Sequence, residues 1–240
     1  MNFMEQFTKG AWILAGICWS VVLVLIILIF IKERKLIINY IKSDYRKESK
    51  IKYSQLHEKG TYGEFLTFVE LEKFQHHKKI VVNPYLPRRD KTTSEIDLVF
   101  INATGIYVIE SKNFSGSIYG KESDFNWTQF LGKWKKPTFY NPIKQNDTHI
   151  KVLQNNLDLP KNISIFSIII FSDKCKLKVV SSTPVIHRKD LINEINEAYK
   201  MNKHILTDSQ IDEIYKQLKK YTNASKKVKK QHIQNIKEKY

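Results

Sequence analysis

From Ala11 to Ile31 the chain runs through 21 residues without a charge. Coiled at about 1.5 Å per residue, such a run spans the roughly 30 Å hydrocarbon core of a bilayer. A cleaved signal peptide is the rival reading. It fits less well, because the run exceeds a typical signal core and the stretch before it carries only Lys9 against Glu5. The pattern then changes. In residues 62–77, Phe65, Phe68 and Leu71 recur in steps of three and share one broad apolar face with Val69, which predicts a helix. KKIVVNPYL predicts a short strand ended by Pro84 and Pro87. SEIDLVFI and GIYVIESKN are rich in β-branched residues and are split by residues 102–105, the pattern of a hairpin.

Further short strands are expected in the polar, aromatic-rich stretch 114–140, where Trp127 and Trp134 flank Gly132. Pro142 opens a predicted helix at a favoured first-turn position. The mostly apolar run 163–171 predicts a strand buried on both faces. Two more helices are expected near 188–199 and 207–221. Helix, strand, hairpin, helix and buried strand, in that order, predict an α/β domain. The expected organisation is a short N-terminal segment 1–10, a transmembrane helix 11–31, a basic juxtamembrane linker 32–57, the α/β domain 58–222 and a basic tail 223–240.

Charge narrows the partners. Lys and Arg number 40 against 24 Asp and Glu, a formal charge of +16, which favours nucleic acid or an acidic membrane surface. The cations Lys32, Arg34, Lys35 and Lys42 follow the apolar run, so a single-pass cell-membrane protein is expected, N-terminus outside and C-terminal domain in the cytoplasm. That topology signal, with contact to anionic lipid, accounts for the basic stretch 32–59. With Cys18 inside the apolar run and Cys175 far from it, a disulfide framework and a cysteine zinc site are both excluded.

The informative chemistry lies in 94–113. If the loop 102–105 closes the hairpin, Ile101 faces Ile106 and Asp97 falls opposite Glu110. Glu110 and Lys112 then share a face, with Glu95 opposite Lys112. Opposed side chains have Cβ atoms about 5 Å apart, where like charges repel. Two such acids need a proton, a cation or a metal, and oxygen ligands suit Mg²⁺ or Mn²⁺. A solvated cross-strand charge cluster is the alternative. Against it, the acids sit among β-branched and aromatic residues, and the chain is otherwise cationic.

Gly63-Glu64, Glu95-Ile96-Asp97, Gly105-Ile106-Tyr107-Val108-Ile109-Glu110-Ser111-Lys112-Asn113 and Asn141-Pro142-x-x-Gln145 together resemble the NERD, or nuclease-related, domain, a branch of the PD-(D/E)XK nuclease-like superfamily. The resemblance covers roughly residues 58–175. It implies a mixed central β-sheet flanked by helices, restriction-endonuclease-like, and phosphodiester hydrolysis with DNA as the expected substrate. It also implies that Asp97 and Glu110 hold Mg²⁺ or Mn²⁺, with Lys112 the catalytic lysine. Glu64 would complete or orient the metal shell, and Gln145 would line the site. Ile96 replaces the proline that names the superfamily. The alternative function is a catalytically inert nucleic-acid-binding domain tethered to the membrane.

Other candidates carry less. His76, His77 and His149 lack a metal-binding spacing and read as surface or helix-end residues; His149, one turn after Gln145, could face the site but is left out of the catalytic set. Lys133, Lys135 and Lys136 beside Trp127 and Trp134 could hold phosphates while the rings stack bases, and core tryptophans flanked by solvated lysines fit equally well. Lys226, Lys227, Lys229 and Lys230 are expected to add non-specific affinity without forming part of the active site.

Overall fold

The structure is a computed structural model that describes residues 3–132 and 134–239. The chain divides into two units, one ending at Asp44 and one beginning at Tyr45. The first is a single helix, α1 (Phe3–Lys42), in which Leu14–Lys42 is long and apolar enough, by length and composition, to cross a membrane. The helix passes the expected end at Ile31 because residues 32–42 contain no Pro or Gly to stop it.

The second unit opens with α2 (Tyr45–Ser49), a 3-10 turn (Tyr53–His57) and α3 (Lys59–Glu72). Residues 45–57, expected as linker, are therefore part of the fold. Tyr45 and Leu56 are fully buried, and the Tyr45 ring meets Phe65 and Phe68 edge-on at 5.2 and 5.4 Å. Strands β1 (Lys79–Val82), β2 (Tyr85–Pro87), β3 (Thr93–Glu95), β4 (Leu98–Asn102) and β5 (Gly105–Lys112) follow. Next come β6 (Gly116–Lys121), β7 (Asn126–Phe130), β8 (Thr138–Tyr140) and α4 (Pro142–Asn156). The chain continues through β9 (Ile165–Phe171), β10 (Cys175–Val180), β11 (Val185–His187), α5 (Leu191–Met201), α6 (Asp208–Lys219) and α7 (Lys226–Lys239).

The main sheet is mixed, in the order β1-β4-β5-β9-β11, with antiparallel pairs on the β1 side and parallel pairs from β5 onward. Side-chain alternation gives each face its own helices. Val99, Ile101, Ile106 and Val108 form one core with Val152 and Leu153 of α4 and Ile211, Ile214 and Leu218 of α6. The alternate residues face α3 and α5: Phe74, just after α3, meets Phe100 edge-on at 5.4 Å and Tyr199 of α5 at 5.2 Å. In β9, Ile168–Phe171 are buried on both faces, as the apolar run predicts, while Ile165–Ser167 are only half-buried.

A second sheet, β10-β6-β7-β8, and a two-stranded ribbon, β2-β3, flank the first. Trp127 of β7 is fully buried and stacks on Phe171 at 6.3 Å, while its indole N–H donates to the Lys121 carbonyl. It is a core residue. Gly120 is what lets it fit, because a Cβ there would lie 2.3 Å from the indole. Gly120→Ala is therefore expected to cost about 1–3 kcal/mol through overpacking. Denaturant unfolding would register this as a lower midpoint; an unchanged midpoint would show that the indole can shift.

Candidate active site

The site forms where the hairpin ladder stops. Ile101 faces Ile106 and Leu98 faces Ile109, the expected register, but Asn102 also pairs with Gly105, so the turn is only Ala103–Thr104. Asn102 Oδ1 accepts the Thr104 N–H at 2.8 Å and so tightens it. Beyond Leu98 the strand breaks. Asp97 Oδ2 accepts the Ser111 N–H at 2.8 Å, and the Ile96 N–H goes to the Pro84 carbonyl. This corrects the expected opposition of Glu95 and Lys112. Glu95 belongs to β3, faces Tyr85 across the ribbon and accepts that tyrosine's hydroxyl proton.

A cavity of about 800 Å³ covers the break and is lined by Glu64, Asp97, Glu110, Lys112 and Gln145. Each is placed by local structure. Period-two alternation in β5 puts Glu110 and Lys112 on the cavity side, and Lys112 Nζ donates to Glu110 Oε1 at 2.6 Å and to Gln145 Oε1 at 3.1 Å. Gly63 lets α3 approach β5, since a Cβ there would lie 2.7 Å from Asn113 Cβ, and this brings Glu64 to the cavity. Glu64 Oε2 accepts from Asn83 Nδ2 at 2.9 Å. Asn141 is the N-cap of α4 and accepts the Ile143 N–H at 2.9 Å. Its own amide donates to the Glu122 and Asp124 carbonyls. Asn146 ties the helix to the Val108 carbonyl and Ser167 Oγ. Gln145 is held between these two anchors.

The charges are unequal. Burial pushes the Asp97 carboxyl well above its ordinary range, and Glu110 and Glu64 add repulsion. Burial likewise raises Glu64 from 4.5 to about 7, partly offset by Asn83. Glu110 goes the other way: burial opposes its charge, but Lys112 and His149 outweigh that and hold it at about 2. Burial also opposes the Lys112 charge, and Glu110 and Asp97 overcome it and raise this lysine. Lys112 and Glu110 thus form a settled ion pair, with two strained acids beside it.

Linkage gives Glu64 a pH signature. The folded state keeps a proton that the unfolded state releases between pH 4.5 and about 7, so this residue lowers stability as pH rises through that window. In metal-free buffer, Glu64→Gln is expected to lose less thermal stability than the parent from pH 5 to 7. Parallel profiles would show that Glu64 does not hold the proton.

His149, His232 and Asn235 line the cavity although they fall outside the expected set. His149 Nε2 lies 3.3 Å from Glu110 Oε2, and its Nδ1 lies 2.8 Å from Ser94 Oγ. The signal for it was its position one turn after Gln145 on the same helix face. His232 and Asn235, which belong to α7 within the expected basic tail, line the cavity as well. His232 is buried with Nδ1 3.1 Å from both the hydroxyl and the carbonyl oxygen of Thr93, and this seats α7 on the ribbon. Lys226, Lys227, Lys229 and Lys230 are exposed on α7 and do not line the cavity. Lys135 and Lys136 are likewise exposed and outside its lining, and Lys133 lies outside the described residues.

As metal ligands, the candidates are hard carboxylate oxygens, and Glu110 Oε2 is buried with no aligned hydrogen bond. Among the described residues no three His, Cys, Asp or Glu side chains converge as a ready cage. Carboxylate oxygens are the donors that hard divalent ions such as Mg²⁺ take, commonly one or two at a time with water and substrate phosphate completing the shell.

The site thus combines an acid on a broken strand, an E-x-K on its neighbour, a glutamate on the preceding helix and a glutamine on the following one. The sequence profile of the NERD family, the nuclease-related domain, matches residues 59–172. An uncharacterized protein of Bacillus anthracis is 30% identical over 190 residues, covering 76% of this chain and 85% of that protein. The chain belongs to the nuclease-related domain family, and its mixed sheet is consistent with the PD-(D/E)XK-like superfamily. No solved structure matches it.

Proposed function

We propose that this protein is a membrane-anchored, metal-dependent nuclease that hydrolyses phosphodiester bonds of DNA. The observation that carries the reading is the convergence of Asp97, Glu110 and Lys112 with Glu64 and Gln145 on one cavity. Asp97 and Glu110 would hold Mg²⁺ or Mn²⁺. When bound, the ion would polarise the phosphoryl group and lower the pKa of a coordinated water. Lys112, fixed by Glu110 and Gln145, would orient the attacking water and offset charge developing on the phosphate. Gln145 keeps the ammonium aimed, and His149 shields the second Glu110 oxygen from bulk water. The test is a cleavage assay on the purified full chain in detergent, with supercoiled, linear and single-stranded DNA and with RNA, in Mg²⁺, Mn²⁺ or EDTA. Metal-dependent cleavage of DNA is expected. Absence of cleavage with either ion would favour the second reading, an inert nucleic-acid-binding domain. The 2.6 Å Lys112–Glu110 ion pair is the feature that favours it, since it occupies a prospective ligand oxygen.

The apolar helix supplies the anchor in this proposal, with the cations after it on the cytoplasmic side. A reporter fused to the C-terminus is expected to be active only in the cytoplasm. Activity only outside, or a mature protein that starts after residue 31, would overturn the topology.

A further inference from the structure

We infer that this site takes a single nucleic-acid strand, not an intact duplex, a reading that rests on the nuclease proposal. The reacting groups lie on a floor, with Glu110 only 1% exposed and the Lys112 side chain 20% exposed. Residues of α3, the β2–β3 ribbon, α4, the segment around β8 and α7 line a half-open cavity above them. A volume of about 800 Å³ is that of a pocket enclosing a ligand of roughly one to three nucleotides. A duplex presents its phosphates on a rigid cylinder and cannot lower one of them to the floor of such a cavity. A flexible strand can, and the lining carries what such a strand needs.

Sequence-tolerant single-strand sites pair cations that follow the backbone with aromatic rings on which bases stack. Here Phe114, Phe139 and Tyr140 line the cavity; Phe114 and Phe139 also pack into the core against Phe171 and Trp127, so Tyr140 is the ring assigned to stacking. Lys59 and Arg88 line the cavity from α3 and from the end of the ribbon. Lys59 stands over the Phe114 ring at 5.3 Å, and Arg88 lies 3.6 Å from Asp90, which lines the cavity too. Tyr140 is half-buried and braced edge-on by Phe125 at 5.2 Å, which holds its ring at a fixed angle. His232 seats α7 against the ribbon, so this helix narrows the approach to the cavity from that side.

Binding separates this inference from the chemistry, because it is measured in EDTA. Fluorescence anisotropy of the full chain in detergent would use a 12-nucleotide DNA strand, its RNA counterpart, and a closed DNA dumbbell without ends, all at one salt concentration. Either single strand is expected to bind at least tenfold tighter than the dumbbell. Tyr140→Ala should weaken the single strand about 5- to 100-fold, the loss of one stacked base, and leave the dumbbell unchanged. A stop after Ser225 should narrow the gap by admitting the dumbbell. Equal or tighter binding of the dumbbell by the parent would overturn the inference, as would equal weakening of both ligands by Tyr140→Ala. Single-strand preference without cleavage in Mg²⁺ or Mn²⁺ would sink the nuclease reading and leave this one standing. Cleavage of the dumbbell as fast as the strand would do the opposite.

Discussion

Glu110→Ala is expected to bring metal-dependent cleavage to background while nucleic-acid binding persists. Binding draws mainly on dispersed cations, and one fewer negative charge facing phosphate should, if anything, tighten it. Stability should fall, because Lys112 loses its 2.6 Å partner and its ammonium is left largely buried. Stranding a buried donor costs roughly 1–3 kcal/mol. Asp97→Asn should show the same loss of cleavage with the opposite effect on stability. The amide oxygen still accepts the Ser111 N–H, while a buried acid repelled by Glu110 and Glu64 is removed. Metal-free Asp97→Asn is therefore expected to be as stable as the parent or up to about 1 kcal/mol more so. Mn²⁺ titration should show weakened ion binding in both variants. Full cleavage by purified Glu110→Ala would remove the assignment altogether.

The opposite stability effects follow from a feature the sequence could not show. Period-two alternation correctly places Glu110 and Lys112 on one face, and the hairpin register is as expected even though the turn is shorter. A continuous strand would have made Asp97 and Glu110 equivalent partners. Instead the strand breaks at Asp97, which leaves that acid on a backbone N–H and gives Glu110 the lysine and His149. Such a break depends on where Pro84 and Asn83 meet residues 96 and 97, a long-range contact that local pattern does not encode. The tail failed to read for a related reason. Its lysines dominate the composition, and one histidine among them decides where the helix sits. Residues 45–57 were masked in the same way, since Tyr45 and Leu56 are isolated apolar positions in a basic stretch. The strand β11 is short and half-buried, while β10 turns Cys175, Leu177 and Val179 to the core at period two, a signal diluted by the lysines between them.

Lys112→Met tests the lysine separately from the acids. Methionine keeps most of the apolar stem and removes the charge that bridges Glu110 and Gln145. Both prospective ligand acids remain, and Glu110 Oε1 is released from its ion pair, so Mn²⁺ should still bind. Turnover at saturating substrate should nonetheless fall about 10²–10³-fold, the usual loss when one preorganised stabilising group is removed, with KM little changed. The acid side of the stability profile should move as well. Glu110, held at about 2 in the parent, contributes stability that is present above its ordinary 4.5 and is lost as pH falls through about 2. Without Lys112 that carboxyl rises, so the loss on acidification should begin at a higher pH. A solvated, non-catalytic cluster would instead give unchanged turnover and stability changes within about 0.5 kcal/mol. Loss of turnover with an unshifted acid transition would mean that the lysine acts on the substrate and not on Glu110. An unshifted transition with full turnover would place Lys112 outside the chemistry.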